Sequence, residues 1–417
     1  MDKFVIQGPT CLKGEVDISG AKNAVLPLMA AALLANGEST IENVPDLRDV
    51  RTKIKLLQML GAKIQFEDNK LSIDASNINS YEAPYDLVRT MRASIYVLGP
   101  LLAARGEARV SLPGGCAWGP RPIDLHLMAI EKLGARISLD HGYIHAVSRR
   151  LKGAEIVFPI SSVGATVNTL MAASLAKGTS VIRNAALEPE ITELAKALTA
   201  GGVPIDGIGT STLTVEGITN FKPFHHRVIP DRIEAGTFAA AAVISGGVVR
   251  INRCNPGHLE AVLNTLKSCG ATVTVDTDHV LIEGPDRVEP GHVETREYPG
   301  FPTDMQAQIM AVLCLAGGVS TLKDTIYADR FTHVPELRRL GADIRMDGNL
   351  AVITGVPDFM GAPVMATDIR ASSALILGGI VAKGTTEVRR VYHIDRGYDR
   401  IVEKLRSLGA SIERISD

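Results

Sequence analysis

One pattern of apolar and polar positions recurs along the whole chain. In its first complete copy, Val50, Ile54 and Leu57 follow one another at helical spacing and lead to Gly61. A glycine in this place is typical of the left-handed residue that closes a helix. Beyond it, apolar and polar residues alternate on both sides of a short polar turn at 67–70, which is typical of a β-hairpin. The pattern predicts a helix that ends at Gly61, followed by two antiparallel strands.

The glycine that ends this helix has counterparts at nearly constant steps along the chain. The shortest step is 68 residues (202 − 134) and the longest is 73 (134 − 61). A second glycine series lies 24 to 28 residues upstream (61 − 37 = 24, 134 − 106 = 28), and an Ala-rich apolar stretch precedes each member. Self-similarity at a fixed period indicates a protein built from repeats. We expect six copies of one unit, in the order strand, helix, strand, helix, hairpin. The two series are Gly61, Gly134, Gly202, Gly270, Gly341 and Gly409, and Gly37, Gly106, Gly178, Gly246, Gly317 and Gly384.

The Ala-rich stretches have few polar positions. We therefore expect these helices to be buried inside the repeats, with the strands outside them. Six repeats could close into one ring or divide into two lobes of three, and the periodicity does not choose between these arrangements. In the second arrangement, the cleft between the lobes is where a small molecule would bind.

Composition restricts the class of protein. A chain of 417 residues with 46% hydrophobic and 22% charged residues is expected to be globular, with two or three domains. Its longest uncharged apolar stretch, 24–35, spans 12 positions and contains Pro27, whereas a membrane helix needs about 20 apolar residues. The first residues also lack the features of a secretion signal. We expect a cytoplasmic protein that does not associate with a membrane.

Charge and cysteine content exclude further classes. The chain has 44 basic and 46 acidic side chains, a formal charge of −2, which argues against general binding to nucleic acid. Five cysteines with no CxxC pair indicate free thiols rather than disulfides or a zinc site. The sequence has no HExxH, no GxxxxGK[ST] and no GxGxxG of the dinucleotide-binding type. We expect neither a metal ion nor a cofactor.

Basic residues stand where the first helix of several repeats is predicted to begin. Lys22, Arg92, Arg232 and Arg370 occupy this place in four of the six repeats. A helix N-terminus carries about half a positive charge, so a cation there typically costs about 0.3–1 kcal/mol. Free backbone N–H groups and added cations together make a site for phosphate or carboxylate. The pattern predicts an anionic ligand that lies across converging helix starts.

A second set of basic residues recurs near the start of the second helix. Arg48, Arg121, Arg330 and Arg396 lie at similar distances after the upstream glycine in four repeats. Any one of them could be a solvated surface residue or the partner of a carboxylate. Their recurrence at matching places favours a shared anion site.

One segment departs from the repeat. Residues 113–122 lengthen the second repeat by a Gly- and Pro-rich loop that holds the only Trp of the chain and Cys116. A loop of this composition is difficult to bury, and Arg121 lies close by, so the Cys116 thiol is expected to be accessible and reactive. The loop is a candidate lid. Structural free thiols are the simpler interpretation of the remaining cysteines, which are Cys11, Cys254, Cys269 and Cys314.

Two carboxylates remain open to more than one interpretation. Asp304 lies at a predicted helix start, and capping that helix is the simpler role for an isolated Asp in this place. Asp368 precedes Arg370 and could equally be the partner of an arginine.

Several segments together resemble one enzyme family. Over essentially its whole length the chain is similar to the UDP-N-acetylglucosamine 1-carboxyvinyltransferases, also called UDP-N-acetylglucosamine enolpyruvyl transferases. The resemblance implies an α/β fold of two inside-out α/β barrels, each of three βαβαββ repeats, with the active site in the cleft between them. One lobe would comprise 22–229, and the other 1–21 and 230–417. The segments that carry the resemblance are 22–23, 113–122, 162–166, 301–308, 367–372 and 392–398.

The resemblance also implies an activity. The family transfers the enolpyruvyl group of phosphoenolpyruvate to the 3′-hydroxyl of UDP-N-acetylglucosamine by addition and elimination. Phosphate is released, and the product is the first committed intermediate of bacterial peptidoglycan synthesis. The expected partners are therefore these two small molecules, with no obligate protein partner.

Residue by residue, the resemblance assigns the catalytic roles to Cys116, Asp304, Lys22 and Arg396. Cys116 would protonate the methylene carbon, and Asp304 would take the proton of the attacking hydroxyl. The residues implied to bind phosphoenolpyruvate are Lys22, Asn23, Cys116, Arg121, Arg330, Arg370 and Arg396. The residues implied to bind the nucleotide sugar are Asn23, Arg92, Arg121, Pro122, Ile123, Asp124, Leu125, Ser162, Val163, Gly164, Asp304 and Ile326.

Two other functions compete with this one. A 3-phosphoshikimate 1-carboxyvinyltransferase would transfer the same group on the same fold, but that enzyme normally lacks the loop cysteine. A non-enzymatic, repeat-built nucleotide-binding scaffold would need neither a reactive thiol nor recurring cations at helix starts. The chain departs from the implied family at Ile160 and Ser161, where a Lys that contacts the diphosphate is expected.

Overall fold

The computed structural model describes residues 2–88, 91–112 and 123–416. The chain divides into two compact units. We call Gly20–Ile229 the central unit, and Met1–Ser19 together with Pro230–Asp417 the terminal unit, because the latter contains both ends of the chain.

The elements follow one another as the repeats predict. The chain begins in the terminal unit with β1 (Lys3–Gly8) and β2 (Lys13–Asp17). The central unit then contains α1 (Lys22–Ala31), β3 (Glu38–Glu42), α2 (Arg48–Met59), β4 (Lys63–Glu67), β5 (Lys70–Asp74), β6 (Glu82–Ala83), α3 (Tyr85–Val88), α4 (Leu98–Arg105), β7 (Glu107–Ser111), α5 (Asp124–Lys132), β8 (Arg136–Asp140), β9 (Tyr143–Val147), β10 (Glu155–Val157), α6 (Val163–Ala173), β11 (Gly178–Arg183), α7 (Pro189–Ala200), β12 (Ile205–Asp206), β13 (Thr212–Gly217) and β14 (His225–Arg227), with 3-10 helices at Ala32–Leu34 and Arg92–Val97.

The rest of the terminal unit repeats this order. It contains α8 (Arg232–Ile244), β15 (Val248–Asn252), α9 (Glu260–Ser268), β16 (Thr272–Val275), β17 (His279–Glu283), β18 (His292–Glu294), α10 (Gln306–Leu313), β19 (Val319–Lys323), α11 (Val334–Arg339), β20 (Asp343–Asp347), β21 (Leu350–Thr354), β22 (Pro363–Met365), α12 (Ile369–Val381), β23 (Gly384–Arg389), α13 (Ile401–Ser407) and β24 (Ser411–Ile415), with 3-10 helices at Pro256–His258, Thr303–Met305 and Val391–Arg396.

The glycines that phase the repeats end the second helices, as the sequence predicts. Helix α2 stops at Met59, and Gly61 follows with φ +107°. The five counterparts of Gly61 have φ values from +92° to +102°. A side chain would be strained in this region of φ, so glycine is favoured where the chain turns from helix to strand.

The strands form six four-stranded sheets, one for each repeat. In the sheet with the order β6-β7-β9-β8, the short strand β6 pairs parallel to β7, while β9 pairs antiparallel to both β7 and β8. The predicted hairpins β4–β5, β8–β9, β16–β17 and β20–β21 are all present. These are separate sheets, and the described strands form no closed barrel.

Three of the sheets include a strand from a distant part of the chain. Strand β14 joins β3, β2 joins β15, and β1 lies between β23 and β24. Each donated strand supplies a partner for backbone groups that would otherwise line an open sheet edge. The alternation of apolar and polar residues along a strand does not reveal which sheet the strand joins. The repeat pattern therefore could not show that these strands join the sheets of other repeats.

The Ala-rich first helices are buried, as predicted. Every residue of α8 is buried, and α1 is buried from Ala24 onward. The sheets bury one face only: in β5, Leu71 and Ile73 are buried and alternate with residues more open to solvent. The result is an α/β fold with helices inside and sheets outside, because only a helix with few polar positions can be surrounded on all sides.

A buried ion pair ties the first segment of the terminal unit, which ends at Ser19, to the rest of that unit. Lys404 Nζ lies 2.6 Å from Glu234 Oε1 and 2.6 Å from the Ser19 hydroxyl. The Ser19 amide donates to Glu234 Oε2 at 2.8 Å. Burial raises the pKa of Glu234, and its contact with Lys404 opposes this shift. The three groups join the end of β2 to α8 and α13.

The described cysteines are free thiols of two kinds. Cys254, Cys269 and Cys314 are buried, which confirms their structural interpretation, whereas Cys11 is exposed. Burial raises the pKa of Cys254 and of Cys269 to about 11, and it raises the pKa of Cys314 as well. These three thiols remain protonated and are poor nucleophiles at neutral pH.

Candidate active site

Asp304 lies between two arginines of the terminal unit. Its Oδ1 accepts from Arg330 Nη2 at 2.7 Å, and its Oδ2 accepts from Arg370 Nη2 at 2.7 Å. Both arginine side chains are 7% exposed, while the Asp304 side chain is 26% exposed. The carboxylate is therefore the part of this cluster most open to solvent, and the guanidinium groups hold it by both oxygens.

The helix cap predicted as the simpler role of Asp304 is not observed. Asp304 is not the N-cap residue of either helix that begins here, because Pro302 precedes the 3-10 helix Thr303–Met305 and Met305 precedes α10. Asp368 does cap: its Oδ1 accepts from the backbone N–H groups of Arg370 and Ala371, at the start of α12. The carboxylate that contacts the Arg370 guanidinium is thus Asp304, and Asp368 offsets the cost of a cation at the helix start.

A buried polar network lies behind Arg370. The Tyr398 hydroxyl lies 3.5 Å from Arg370 Nη1 and 2.8 Å from the hydroxyl of Thr237. Gln308 Nε2 donates to the Thr237 hydroxyl at 3.1 Å. Burial tends to lower the pKa of Arg370, but the Asp304 carboxylate overrides this effect and the net shift is upward. Arg370 is a permanent cation in a fixed position.

Asp324 organises the other side of the cluster. Its Oδ2 accepts from the Thr303 hydroxyl at 2.8 Å, and the same hydroxyl accepts from Arg330 Nη1 at 3.0 Å. Its Oδ1 accepts from the Ile326 amide at 2.9 Å and from the Tyr327 amide at 2.8 Å. This one carboxylate therefore positions both Arg330 and the Ile326 backbone.

In the central unit, the predicted site residues begin at α1. Lys22 is its first residue and Asn23 its second, and α1 has no side-chain cap. Lys22 Nζ lies 3.8 Å from Asp49 Oδ2, and both side chains are largely buried, at 12% and 6% exposed. A carboxylate on α2 thus contacts the cation at the start of α1.

Two further predicted segments lie side by side in the central unit. Ser162 caps α6 by accepting from the Ala165 amide, and Val163 and Gly164 form its first turn. Ile123, Asp124 and Leu125 lie at the start of α5.

His126 of α5 connects these two segments. A Cβ atom on Gly164 would lie 2.9 Å from His126 Nε2, so glycine is needed where the ring packs. Asn168 Nδ2 lies 2.8 Å from His126 Nδ1 and fixes the ring from behind. The starts of α5 and α6 are therefore in direct contact.

The remaining predicted residues fall in different parts of the chain. Arg92 is the first residue of the 3-10 helix Arg92–Val97, rather than of an α-helix as predicted. Arg396 is the last residue of the 3-10 helix Val391–Arg396 and is half-buried. Cys116, Arg121 and Pro122 lie outside the described residues.

The prediction that cations stand at helix starts holds in part. Arg48 begins α2, but Arg330 precedes α11, which begins at Val334. Arg232 begins α8, where Asp231 caps the helix and supplies a nearby negative charge. The unfavourable energy expected for a cation at a helix start is thus partly offset by Asp231 at α8 and by Asp368 at α12.

Several residues that support the site were given no role from the sequence. Asp324 and Thr303 support Arg330, while Thr237 and Gln308 support Tyr398 and through it Arg370. Each has a polar side chain that is buried or half-buried in the structure. The sequence alone could indicate that such a residue is buried and therefore hydrogen-bonded, but it could not indicate which residue is its partner.

The described residues contain neither a candidate metal site nor a helix that could span a membrane. No group of three or more His, Cys, Asp or Glu side chains could hold a metal ion. Within the same residues, no helix is long and apolar enough to cross a membrane.

Comparison with known proteins places this chain among carboxyvinyltransferases. A family model described as EPSP synthase (3-phosphoshikimate 1-carboxyvinyltransferase) matches residues 6–405. The UDP-N-acetylglucosamine 1-carboxyvinyltransferase of Trichlorobacter lovleyi is 53% identical over 418 aligned positions that cover the whole of both chains. The protein of the same name from Prosthecochloris aestuarii is 54% identical, over 99% of this chain and 98% of its own.

Solved structures show the same fold. The enolpyruvyl transferase NikO from Streptomyces tendae superimposes with a TM-score of 0.88 at 26% identity, covering 100% of this chain and 99% of its own. An EPSP synthase from Acinetobacter baumannii gives a TM-score of 0.77 at 18% identity over the whole of both chains. At 18% identity the likeness concerns the fold alone.

Proposed function

The chain belongs to the EPSP synthase family of carboxyvinyltransferases, and we propose that it transfers the enolpyruvyl group of phosphoenolpyruvate to the 3′-hydroxyl of UDP-N-acetylglucosamine, releasing phosphate. The observation that carries this proposal is the identity of 50–54% over at least 99% of the chain with enzymes named for this acceptor. The chain is a transferase of carboxyvinyl groups. Its product would enter peptidoglycan synthesis in the cytoplasm.

The acceptor separates this function from its nearest rival. A 3-phosphoshikimate 1-carboxyvinyltransferase shares the fold, but the EPSP synthase from Acinetobacter baumannii is only 18% identical to this chain. The sequence also retains a cysteine in the loop 113–122, which the rival normally lacks. UDP-N-acetylglucosamine is therefore the better-supported acceptor. A non-enzymatic scaffold would have no need for a carboxylate exposed between two buried arginines.

The cations suit the charge of phosphoenolpyruvate. Its phosphate and carboxylate together need several positive groups, and we assign the phosphate to Lys22, Arg121 and Arg396. Arg330 and Arg370 would bind or neutralise the remaining anionic group, and the network behind Arg370 holds its guanidinium ready for this contact. A bidentate guanidinium fits a carboxylate better than an ammonium group does.

The reaction proceeds in two steps. In the addition step, the sugar 3′-oxygen bonds to the central carbon of phosphoenolpyruvate while the Cys116 thiol protonates the methylene carbon to a methyl group. Asp304 takes the proton of the attacking hydroxyl, and Asn23 binds near the tetrahedral carbon. In the elimination step, the Cys116 thiolate left by the addition takes a proton from the methyl group, and the carbon–oxygen bond to the phosphate breaks. The proton held by Asp304 passes to the departing phosphate, which leaves the carboxyvinyl ether and free phosphate.

The exposure of Asp304 suits this role. Its carboxylate is 26% exposed while the guanidinium groups behind it are almost buried. A hydroxyl that approaches from solvent would meet the carboxylate before either arginine. The arginines fix its position, so the distance to the hydroxyl is set before the substrate arrives.

The nucleotide sugar would be held mainly by segments at helix starts. We assign it to Arg92, to the run 121–125, to Ser162, Val163 and Gly164, and to Asp304 and Ile326. The contact of His126 with Gly164 brings two of these segments together. Backbone N–H groups at such starts are suited to diphosphate oxygens.

A two-substrate assay tests the proposed function. Purified protein should release phosphate when given phosphoenolpyruvate and UDP-N-acetylglucosamine together, and the carboxyvinyl ether should be identified by mass spectrometry. Shikimate 3-phosphate in place of the nucleotide sugar should give no phosphate above background. Phosphate release with shikimate 3-phosphate as the acceptor, and none with UDP-N-acetylglucosamine, would reject the proposed acceptor.

The Cys116 thiol should be the site of alkylation by an epoxide that mimics phosphoenolpyruvate, of the fosfomycin kind. Buried and protonated Cys254, Cys269 and Cys314 should not react. Peptide mass mapping after treatment should show one label for each chain, and activity should be lost in parallel with labelling.

The exposed thiol of Cys11 provides the control for this labelling. A Cys11→Ser variant should label and lose activity as the wild type does, and a Cys116→Ser variant should not label. Label found on Cys11, with activity retained, would show that the loop thiol is not the reactive one.

A further inference from the structure

Lys53 is an ionisable residue in a place that solvent does not reach. It lies in the middle of α2 and is 0% exposed. Its Nζ atom donates to the backbone carbonyl of Ala93 at 3.2 Å. Ala93 is the second residue of the 3-10 helix Arg92–Val97, so this hydrogen bond joins α2 to the start of a segment assigned to the nucleotide sugar.

The same face of α2 reaches a second site segment. Asp49 lies one turn before Lys53, four positions apart, and residues so spaced lie on one face of a helix. Asp49 contacts Lys22 at the start of α1. Helix α2 therefore braces the starts of two segments through two polar side chains, Asp49 toward α1 and Lys53 toward the 3-10 helix.

We propose that Lys53 is a positioning residue for the nucleotide sugar, holding the start of the 3-10 helix Arg92–Val97 through the carbonyl of Ala93. This inference rests on the proposed function for its substrate, but the hydrogen bond itself can be tested without that function. Lys53 touches no substrate. It acts by fixing the backbone that carries Arg92.

The energetics of the site support a role beyond packing. Burial of a cationic amine is costly, and here it lowers the pKa of Lys53 from 10.5 to about 7. An apolar side chain of similar length would fill the same space without this cost. It would, however, remove the hydrogen bond from Lys53 to the Ala93 carbonyl. The amine is thus the part of the side chain that contributes to the position of the 3-10 helix.

The variant Lys53→Met tests the proposal, since methionine fills the space but has no donor. We expect the KM for UDP-N-acetylglucosamine to rise about tenfold, the value for one lost hydrogen bond. The KM for phosphoenolpyruvate should stay within about twofold, because only one segment loses its brace. The control is Lys55→Met on the exposed face of α2, which should match the wild type.

Hydrogen exchange tests the brace without reference to activity. Amides of 92–97 should exchange about tenfold faster in Lys53→Met than in Lys55→Met, since one supporting hydrogen bond is lost. Should Lys53→Met fail to fold, Lys53→Gln takes its place with the same expected result, because its amide nitrogen ends one bond short of the position of Lys53 Nζ. Unchanged exchange in 92–97 would overturn the proposal. A parallel rise of both KM values would also overturn it, because it would indicate general loss of structure. Wild-type protein that is inactive with both substrates would reject the proposed function. The exchange measurement would still show whether Lys53 holds the 3-10 helix Arg92–Val97 in place.

Lys53 also predicts how stability depends on pH. Between about pH 7 and pH 10 the unfolded chain keeps a proton that the folded chain has released, because the pKa is lower in the folded state. Raising the pH therefore stabilises the wild type relative to Lys53→Met, by about tenfold in the folding equilibrium constant for each pH unit. Urea unfolding of both proteins at pH 7.5 and pH 9.5 measures this difference. A gap between the two proteins that does not change with pH would show that Lys53 is charged in the folded state.

Discussion

Replacing Asp304 by alanine is expected to reduce kcat/KM by about 10³-fold or more and to destabilise the terminal unit by about 3 kcal/mol. The variant removes the carboxylate that Arg330 and Arg370 both bind at 2.7 Å, and it leaves two largely buried cations close together. Phosphate release measures the first effect. Urea unfolding measures the second.

Asp304→Asn separates the two effects. Asparagine keeps the shape and one acceptor oxygen, so the loss of stability should fall to about 1–2 kcal/mol. It cannot accept the hydroxyl proton, so activity should remain as low as in Asp304→Ala. An Asp304→Asn variant with wild-type activity would mean that Asp304 only positions the arginines, and another group would have to take the proton.

Replacing Lys404 by methionine is expected to destabilise the terminal unit by about 3–5 kcal/mol. The reason is that Glu234, which is 3% exposed, would lose a partner that lies 2.6 Å away while its carboxylate stayed buried. Ser19 would lose the same amine. Urea unfolding should show a lower midpoint with an unchanged slope, since the area exposed on unfolding is the same.

An exposed ion pair provides the matched control for this effect. Lys383 and Asp358 also lie 2.6 Å apart, but their side chains are 54% and 43% exposed. Lys383→Met should therefore change stability by no more than about 1 kcal/mol. Equal losses in the two variants would show that burial does not govern the strength of the Glu234–Lys404 pair.

The periodic part of the fold was predictable because it depends on local rules. A residue with positive φ is needed wherever a helix turns directly into a strand, so Gly61 and its counterparts recur and reveal the length of the repeat. The buried helices were predictable for a similar reason: a helix such as α8, which is apolar after Thr237, is stable only where other residues surround it.

The strands that join the sheet of another repeat were not predictable in this way, and neither were the roles of the carboxylates. Alternation shows that β1 is a strand but not that its partners are β23 and β24. Asp304 and Asp368 stand near equivalent helix starts, yet one contacts arginine side chains and the other caps a helix. What separates them is that Arg370, from the following repeat, reaches Asp304, which is a property of tertiary structure.

The candidate site shows the same division. The cations at helix starts and the resemblance to a family marked Lys22, Asp304, Arg330 and Arg370 from the sequence. The support that holds them came only from the structure, since Asp324 and Tyr398 act through contacts with residues far away in the chain. The positions of Cys116 and Arg121 in the site stay predictions.

The position of β1 between β23 and β24 governs the order in which the parts of the protein can fold during synthesis. Lys3 pairs with Arg389, which the ribosome adds 386 residues later (389 − 3). The central unit has all its strands once residue 229 has emerged, so it can fold while synthesis continues. The first strand must wait, unpaired, until almost the last residue is in place. A nascent chain stalled before residue 384 should therefore present a folded central unit flanked by protease-sensitive ends.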